Sequence, residues 1–403
     1  MSDTAPQAPL PSPGLERQMA IYQAGLLGKK QTQPFAVEAL EAAARERMTP
    51  EAYDYVAGGA GGENSVRANL AAFQRWQIVP RFLRNVERRD LSVHLELLGQ
   101  GLRAPILLAP VGVQSIIHPE GELAVARAAR ALEIPMILST LSSFPLEKIA
   151  EILGPSPRWF QLYWPKNPDL AASFVTRAER AGFSAIVVTL DTYLLGWRER
   201  DLQRSYLPFL EGKGIANYLS DPIFRALLSV PPETDPRPAI MAFMQVVSNP
   251  ALRWDDLQFL RRHTKLPILL KGILDPEDAR KALDHGVAGL IVSNHGGRQL
   301  DGAIAALDAL PRVVDAVGNK VPVLFDSGIR RGSDVLKAIA LGARAVLLGR
   351  PYCYGLAVGG EAGVRTVVEN LIADLDLSLG LAGCASLGEL GRANLVDSLQ
   401  APS

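Results

Sequence analysis

From Arg103 onward, short apolar runs alternate with longer amphipathic stretches. The runs Pro105–Ala109, Met136–Ser139, Trp159–Tyr163, Ala185–Asp191, Pro267–Lys271, Leu290–Asn294, Val321–Asp326 and Ala345–Gly349 have the length and composition of buried strands. Between most of them lie segments rich in Ala, Leu and charges, such as Glu120–Leu132, Leu170–Ala181, Pro276–His285 and Gly332–Leu341, which read as helices. Eight strands, each followed by a helix, predict an α/β fold of the (β/α)8 TIM barrel type over about 103–377, with Val364–Leu377 as the last helix. An open doubly wound sheet is the alternative, but it would usually carry phosphate-binding glycines after its first strand.

Two regions stand outside this rhythm. Residues 1–14 are rich in proline and small side chains and predict a disordered tail, followed by a helical extension over 15–90. Within it Phe35–Arg47 reads as a helix, and Thr49-Pro50-Glu51 is a strong start for the next: a cap, a proline in the first turn, then an acid. The cluster Gly58-Gly59-Ala60-Gly61-Gly62 follows that helix with the wrong spacing for a dinucleotide loop. The second region is the long proline-dotted connection Trp197–Thr264, which leaves the end of the fourth strand. It reads as a lid over about 199–264, or else as an insertion without a role.

Composition narrows the class without naming it. The 403 residues are 48% hydrophobic and 21% charged, as in a soluble globular protein, and Lys+Arg and Asp+Glu balance at 42 each. No charge excess draws such a chain to nucleic acid, and no apolar stretch is long enough to span a bilayer. Cys353 and Cys384 form no metal-ligand cluster, so no metal is expected, and two thiols in so long a chain suggest a reducing, cytoplasmic setting.

Chemistry concentrates where the strands end. In a βα barrel these ends converge on one mouth. They offer Val111 and Gly112; Ser139; Gln161 and Tyr163; Thr189, Asp191 and Arg198; Lys271; Ser293, His295 and Arg298; Asp326, Gly328 and Arg330; Gly349 and Arg350. Glycine and arginine on the last two loops suggest a phosphate, unless Asp326 and Arg330 simply pair with each other. Lys271 admits three readings: a Schiff-base lysine, a cation beside an electron-accepting ring, or a partner for Asp326. His295 supplies a base and Arg298 a fork for a carboxylate, although an isolated His-Gly-Gly-Arg is more often a plain polar loop.

The ten-residue run Ser293-Asn294-His295-Gly296-Gly297-Arg298-Gln299-Leu300-Asp301-Gly302 closely resembles the active-site signature of the FMN-dependent 2-hydroxy acid oxidases and dehydrogenases. So do Tyr53-Asp54-Tyr55, His118-Pro119-Glu120-Gly121-Glu122, Phe160-Gln161-Leu162-Tyr163, Thr189-Leu190-Asp191-Thr192, Leu270-Lys271-Gly272 and Asp326-Ser327-Gly328-Ile329-Arg330-Arg331-Gly332, so that the likeness runs from Tyr53 to about Leu356. It implies His295 as base with Asp191 as its charge partner, and Arg298 and Arg198 on the substrate carboxylate. Tyr55 and Tyr163 would hydrogen-bond the carboxylate and the hydroxyl. Val111, Gly112, Ser139, Gln161, Thr189, Lys271 and Ser293 would hold the isoalloxazine ring of FMN, and Asp326, Gly328, Arg330, Gly349 and Arg350 its ribityl phosphate.

The family commonly reads Thr-Val-Asp-Thr-Pro-Arg-Leu-Gly-Arg-Arg where this chain has Thr189-Leu190-Asp191-Thr192-Tyr193-Leu194-Leu195-Gly196-Trp197-Arg198, and Leu141 replaces a tryptophan of the plant glycolate oxidases. With the long connection and Pro351-Tyr352-Cys353-Tyr354-Gly355-Leu356-Ala357, these departures resemble the lactate 2-monooxygenase branch. The resemblance implies oxidation of an L-2-hydroxy acid, L-lactate foremost, with O2 as acceptor, by a homotetramer or larger assembly. Acetate and carbon dioxide would be the products of a monooxygenase, pyruvate and hydrogen peroxide those of an oxidase. A colourless Schiff-base aldolase on Lys271 and a non-catalytic flavin-binding module are the alternatives from other classes.

Overall fold

A computed structural model describes residues 12–95 and 99–399. Its centre is a closed barrel of eight parallel strands: β1 (Ile106–Leu108), β2 (Met136–Ser139), β3 (Arg158–Leu162), β4 (Ile186–Thr189), β5 (Ile268–Ile273), β6 (Gly289–Val292), β7 (Val323–Phe325) and β8 (Ala345–Leu348). Neighbours in sequence are neighbours in the sheet, and β8 closes on β1 through Val346 opposite Ile106. Each predicted strand is present with its ends within two residues of those expected: Met136–Ser139 is unchanged, β5 runs on to Ile273, and most of the others are shorter.

The period of two within each strand explains why these runs are apolar throughout. Leu107, Ile137, Trp159, Val187, Leu269, Ile291, Leu324 and Leu347 point inward and form one core inside the barrel. Their neighbours, among them Ile106, Leu138, Phe160, Val188, Leu270 and Phe325, belong to the larger core shared with the surrounding helices. The hairpin Val93–Leu95 with Gln100–Leu102 adds Leu95 and Leu102 to the inner core, and Trp159 donates its indole N–H to Gln100 Oε1 at 3.0 Å.

The helical extension begins earlier than predicted. Residues 1–11 lie outside the described ones, but Pro13 and Gly14, assigned to the tail, open helix α1 (Pro13–Leu26). Gly14 donates its N–H to Asp376 at 3.0 Å, and a Cβ at Gly14 would clash with Leu377, so this end of the helix is tied to the last helix. The predicted helices at Phe35 and Pro50 are present as α2 (Val37–Arg47) and α3 (Pro50–Ala57), the latter capped by Thr49 Oγ1 accepting from the Ala52 N–H at 3.3 Å. The last helix, Arg350–Leu381, is longer than the predicted Val364–Leu377 and kinks at Gly359 and Gly360.

The connection after β4 is ordered. It carries short helices at Glu199–Gln203, Ala216–Leu219, Pro222–Arg225 and Arg237–Val246, bound together by Phe209, Tyr218, Phe224 and Phe243. Tyr218 packs edge-on against Phe174 of the barrel helix Pro168–Arg180, with centroids 4.9 Å apart. The final piece, Leu257–His263, contacts that same helix and fills the position of the helix between β4 and β5. The part of the connection near the mouth therefore ends before residue 257.

Candidate active site

One step further along the strands turns the inner core into a polar site. The residue two positions after each inward core residue shares its orientation. These positions are Ala109, Ser139, Gln161, Thr189, Lys271, Ser293, Asp326 and Gly349. Two more along are Val111, Tyr163, Asp191 and His295, already in the loops above the barrel. An apolar strand interior and a polar mouth thus come from one repeating register. The cleft above it encloses about 1090 Å³, open solvent at its mouth included.

His295 and Asp191 form a hydrogen-bonded pair at the mouth. His295 sits at φ +58° in the turn after β6, with its backbone N–H on Ser293 Oγ at 3.0 Å. Its Nδ1 lies 2.7 Å from Asp191 Oδ1, and Thr192 Oγ1 bonds the same carboxylate oxygen at 3.0 Å. The Nδ1–H therefore donates to Asp191, leaving the Nε2 lone pair aimed into the cleft, 3.4 Å from Tyr163 Oη. Burial, only partly opposed by Asp191, holds the His295 imidazolium below the ordinary 6.5. Burial alone would raise the Asp191 carboxyl, yet His295 and Lys271 bring it below its usual range.

The sign is that of a base ready at neutral pH. Imidazole is the active form and exists above its pKa, which lies under 6.5 in the free protein. The acid limb of a kcat/KM profile is accordingly expected to fall below pH 6.5, with activity constant from there up to neutrality. An inflection above pH 7 would mean that the essential base is another group.

Facing His295 are two guanidinium groups. Arg298 donates to the Gly58 carbonyl at 2.7 Å, and Arg198 to the Arg298 carbonyl at 3.2 Å and Gln299 Oε1 at 3.0 Å. Both lie over the Tyr55 ring, at 5.2 and 6.0 Å from its centroid. Burial, then the neighbouring charges of Arg198 and Arg350, push Arg298 down to about 9. The glycine cluster at Gly58 has its explanation here. The Gly58 carbonyl accepts from both Arg298 and Arg350, while Ala60 N–H bonds Gly297 O and Gly61 N–H bonds Trp197 O, each within 3.0 Å.

A second cationic corner lies beyond β7 and β8. Among the described residues Arg330 and Arg350 bond only backbone carbonyls, and burial followed by repulsion from Arg350 lowers the Arg330 pKa. Asp326 does not pair with Arg330. It takes Lys271 Nζ at 3.0 Å, and Lys271 also reaches Ser293 Oγ at 2.8 Å. Burial opposes the Lys271 charge, but Asp326 and Asp191 raise its pKa overall. An amine kept protonated is a poor Schiff-base nucleophile, which weighs against the aldolase reading.

Tyr55, Val111, Gly112, Ser139, Tyr163, Arg198, Lys271, His295, Arg298, Asp326, Gly328, Arg330, Gly349 and Arg350 all line this cleft. Asp191, Gln161, Thr189 and Ser293 stand just behind it, the first against His295 and the second accepting from Ser139 Oγ at 3.0 Å. Thr192 and Phe209 were not expected in it, nor was Gln299 expected as the anchor of Arg198 beside it. Thr192 and Gln299 lay inside the quoted motifs, where their type alone suggests nothing. Phe209 comes from the long connection, and only its packing brings it to the cleft.

Known proteins resemble this chain along most of its length. A family model described as FMN-dependent dehydrogenase matches residues 44–397. The chain is 47% identical over 363 residues to an L-lactate oxidase of Lysinibacillus sphaericus, covering 90% of this chain and 93% of that protein. It is 46% identical over 356 residues to an FMN-dependent alpha-hydroxy acid dehydrogenase of Penicillium citrinum, covering 88% of each. Among solved structures, mandelate oxidase with (S)-4-hydroxymandelic acid superposes with a TM-score of 0.80 at 41% identity, over 90% of this chain and 98% of that one.

Proposed function

We propose that this chain, which belongs to the family of FMN-dependent dehydrogenases, oxidises L-lactate with O2 as acceptor and acts as a lactate 2-monooxygenase. The observation that carries the reading is a neutral, Asp191-oriented His295 facing the Arg298–Arg198 pair across one cleft. Such a site takes a carboxylate on one side and a proton from the adjacent hydroxyl on the other.

The residues present fit FMN. Gln161 Nε2 and Thr189 Oγ1 are buried without a partner among the described residues and suit the polar edge of a flavin ring. A Cβ on Gly112 would come within 2.8 Å of Leu141 O, so the backbone there stays bare and flat. Arg330 and Arg350 suit the phosphate, and Gly349, where a Cβ would meet nothing nearer than Ala109 at 3.9 Å, leaves room beside them, while the bare Gly328 accommodates Asn69 and Phe73. A carboxylate repels a phosphate, so Asp326 suits a ribityl hydroxyl rather than the phosphate itself. When bound there, FMN supplies the acceptor for the α-hydrogen and its electron pair.

Arg298 and Arg198 hold the substrate carboxylate against Tyr55 and fix the α-carbon, the orientational part of catalysis. Tyr163 donates to the substrate oxygen, its proton secured because burial raises its pKa far above the usual value. His295 Nε2 takes the hydroxyl proton, and Asp191 stabilises the imidazolium so formed. Lys271 supplies a fixed positive charge beside Ser293. Leu141, Leu195 and Phe209 leave an apolar space suited to a small alkyl group.

The ordered connection, with Phe209 over the cleft, supports retention of pyruvate. Pyruvate held with peroxide gives acetate, carbon dioxide and water. A second reading, release of pyruvate and peroxide, is favoured by the exposed rim Tyr193, Leu194, Leu195 and Trp197, which leaves the mouth open. Incubation of the yellow protein with L-lactate in air, with and without catalase, separates the two. Acetate unaffected by catalase, with no free peroxide, is expected. Pyruvate with an equal amount of peroxide would make the protein a lactate oxidase.

A further inference from the structure

Building on this reading of the flavin cradle, we propose that Glu122 is a positioning residue, whose carboxyl oxygen holds the loops after β1 and β2 from behind in the shape that receives FMN. Glu122 lies in the first turn of the helix Gly121–Leu132 and is fully buried. It does not line the cleft, whereas Val111 and Gly112 of the first loop and Leu141 of the second do.

An acid in the first turn of a helix ordinarily serves that helix's own free amides. Glu122 also reaches outside it. Its Oε1 accepts the Gln114 N–H and the Ser143 N–H, each at 3.1 Å, so that one oxygen joins the two loops. Gln114 comes two residues after Gly112, and Ser143 two residues after Leu141. The joint therefore sits directly behind the backbone that faces the cleft. Glu122 Oε2 has no partner among the described residues, which leaves Oε1 to make the connection.

The first loop needs such a hold. Val113 has φ +58°, a left-handed setting that is costly for a β-branched side chain and persists only where the surroundings enforce it. Its own N–H is fixed on Leu141 O at 2.8 Å, and the next amide is the one that Glu122 accepts. The Gln114 side chain adds a bond from Nε2 to Val111 O at 2.9 Å and another to Tyr352 Oη at 3.1 Å. Tyr352 in turn donates to Ala109 O at 2.9 Å. Gly121, at φ +37°, lets the helix start this close, since a Cβ there would lie 2.9 Å from the Ser115 nitrogen. Burial raises the Glu122 pKa, and the Gln114 and Ser143 amides oppose the rise. Without Glu122, two buried N–H groups would lose their acceptor together and Val113 would lose one of its restraints.

Glu122→Gln and Glu122→Met separate the hold from the charge. The glutamine oxygen can accept the same two N–H groups without a charge, whereas methionine fills a similar volume and accepts neither. FMN release from the holoenzyme is read from the fluorescence of free flavin on serial dilution, together with the visible spectrum of the bound flavin. The Kd for FMN is expected to rise roughly 30-fold or more in Glu122→Met and to stay within about threefold of the wild type in Glu122→Gln. A residue that only stabilises the fold would lower the unfolding temperature of Glu122→Met without moving the Kd or the spectrum, and that result would overturn the proposal. Equal loosening in both variants would overturn it too, because charge would then be the agent. Glu122→Asp, too short to reach both amides, takes the place of the methionine variant should that not fold, and the same rise in Kd is expected. Failure of both to fold would make Glu122 a folding residue and end the proposal. A wild-type protein that holds FMN yet is not reduced by L-lactate would refute the proposed activity, while the Kd comparison would still report on Glu122.

Discussion

Replacing His295 with alanine is expected to slow reduction of the bound FMN by L-lactate roughly 10²- to 10⁴-fold while leaving the protein yellow. The imidazole touches no part of the proposed flavin cradle. Its contacts are Asp191, Thr192 and Tyr163, all on the substrate side. Loss of the ring removes the acceptor for the hydroxyl proton, and the groups left at that place cannot replace it. Tyr163 is held protonated by burial, and the Asp191 carboxylate stands behind the space the ring would vacate. Anaerobic stopped-flow mixing with lactate reads the bleaching rate directly. Bleaching at the wild-type rate would mean that proton removal by His295 does not contribute. Loss of flavin from the purified variant would instead assign the residue to cofactor binding.

The second large effect is expected at Arg298. Arg298→Met keeps the length of the side chain and removes its charge and fork. Truncating one member of a buried charge pair costs about 2–5 kcal/mol, which predicts a loss of about 30- to 5000-fold in kcat/KM. Because the same interaction orients the α-carbon, both kcat and KM should change. Arg198 remains, fixed by Gln299, so residual binding is expected rather than none. The Gly58 carbonyl would still be held by Arg350 at 2.9 Å, which protects the phosphate corner from the substitution. Steady-state kinetics with lactate, paired with FMN content, checks this. A change in KM alone would show that Arg298 binds the carboxylate without positioning it for reaction.

Much of the site could be read before any coordinates, for a definable reason. Strand interiors of a parallel barrel are apolar on both faces, so a polar residue at the end of such a run stands out. Lys271 after Ile268-Leu269-Leu270 and Ser293 after Leu290-Ile291-Val292 are of this kind, and both face the cleft side of the barrel. The same periodicity carries the fold, since eight buried runs separated by helices leave few topologies open.

Other features were beyond the reach of sequence. The sequence left Asp326 with two possible partners, Arg330 and Lys271, and only the register of β5 against β6 and β7 decides for Lys271. The glycine cluster after Ala57 could be excluded as a dinucleotide loop, yet its use as a shared acceptor for Arg298 and Arg350 depends on a contact across some 240 and 292 residues. The long connection after β4 shows no strong periodicity of its own because its stability comes from aromatic packing onto Phe174. Local pattern determined the strands, the barrel and the chemical types at its mouth, because burial imposes a short-range periodicity on the chain. Tertiary structure alone decided which charges pair and which stay free for ligands, because those choices depend on distances between segments far apart in sequence.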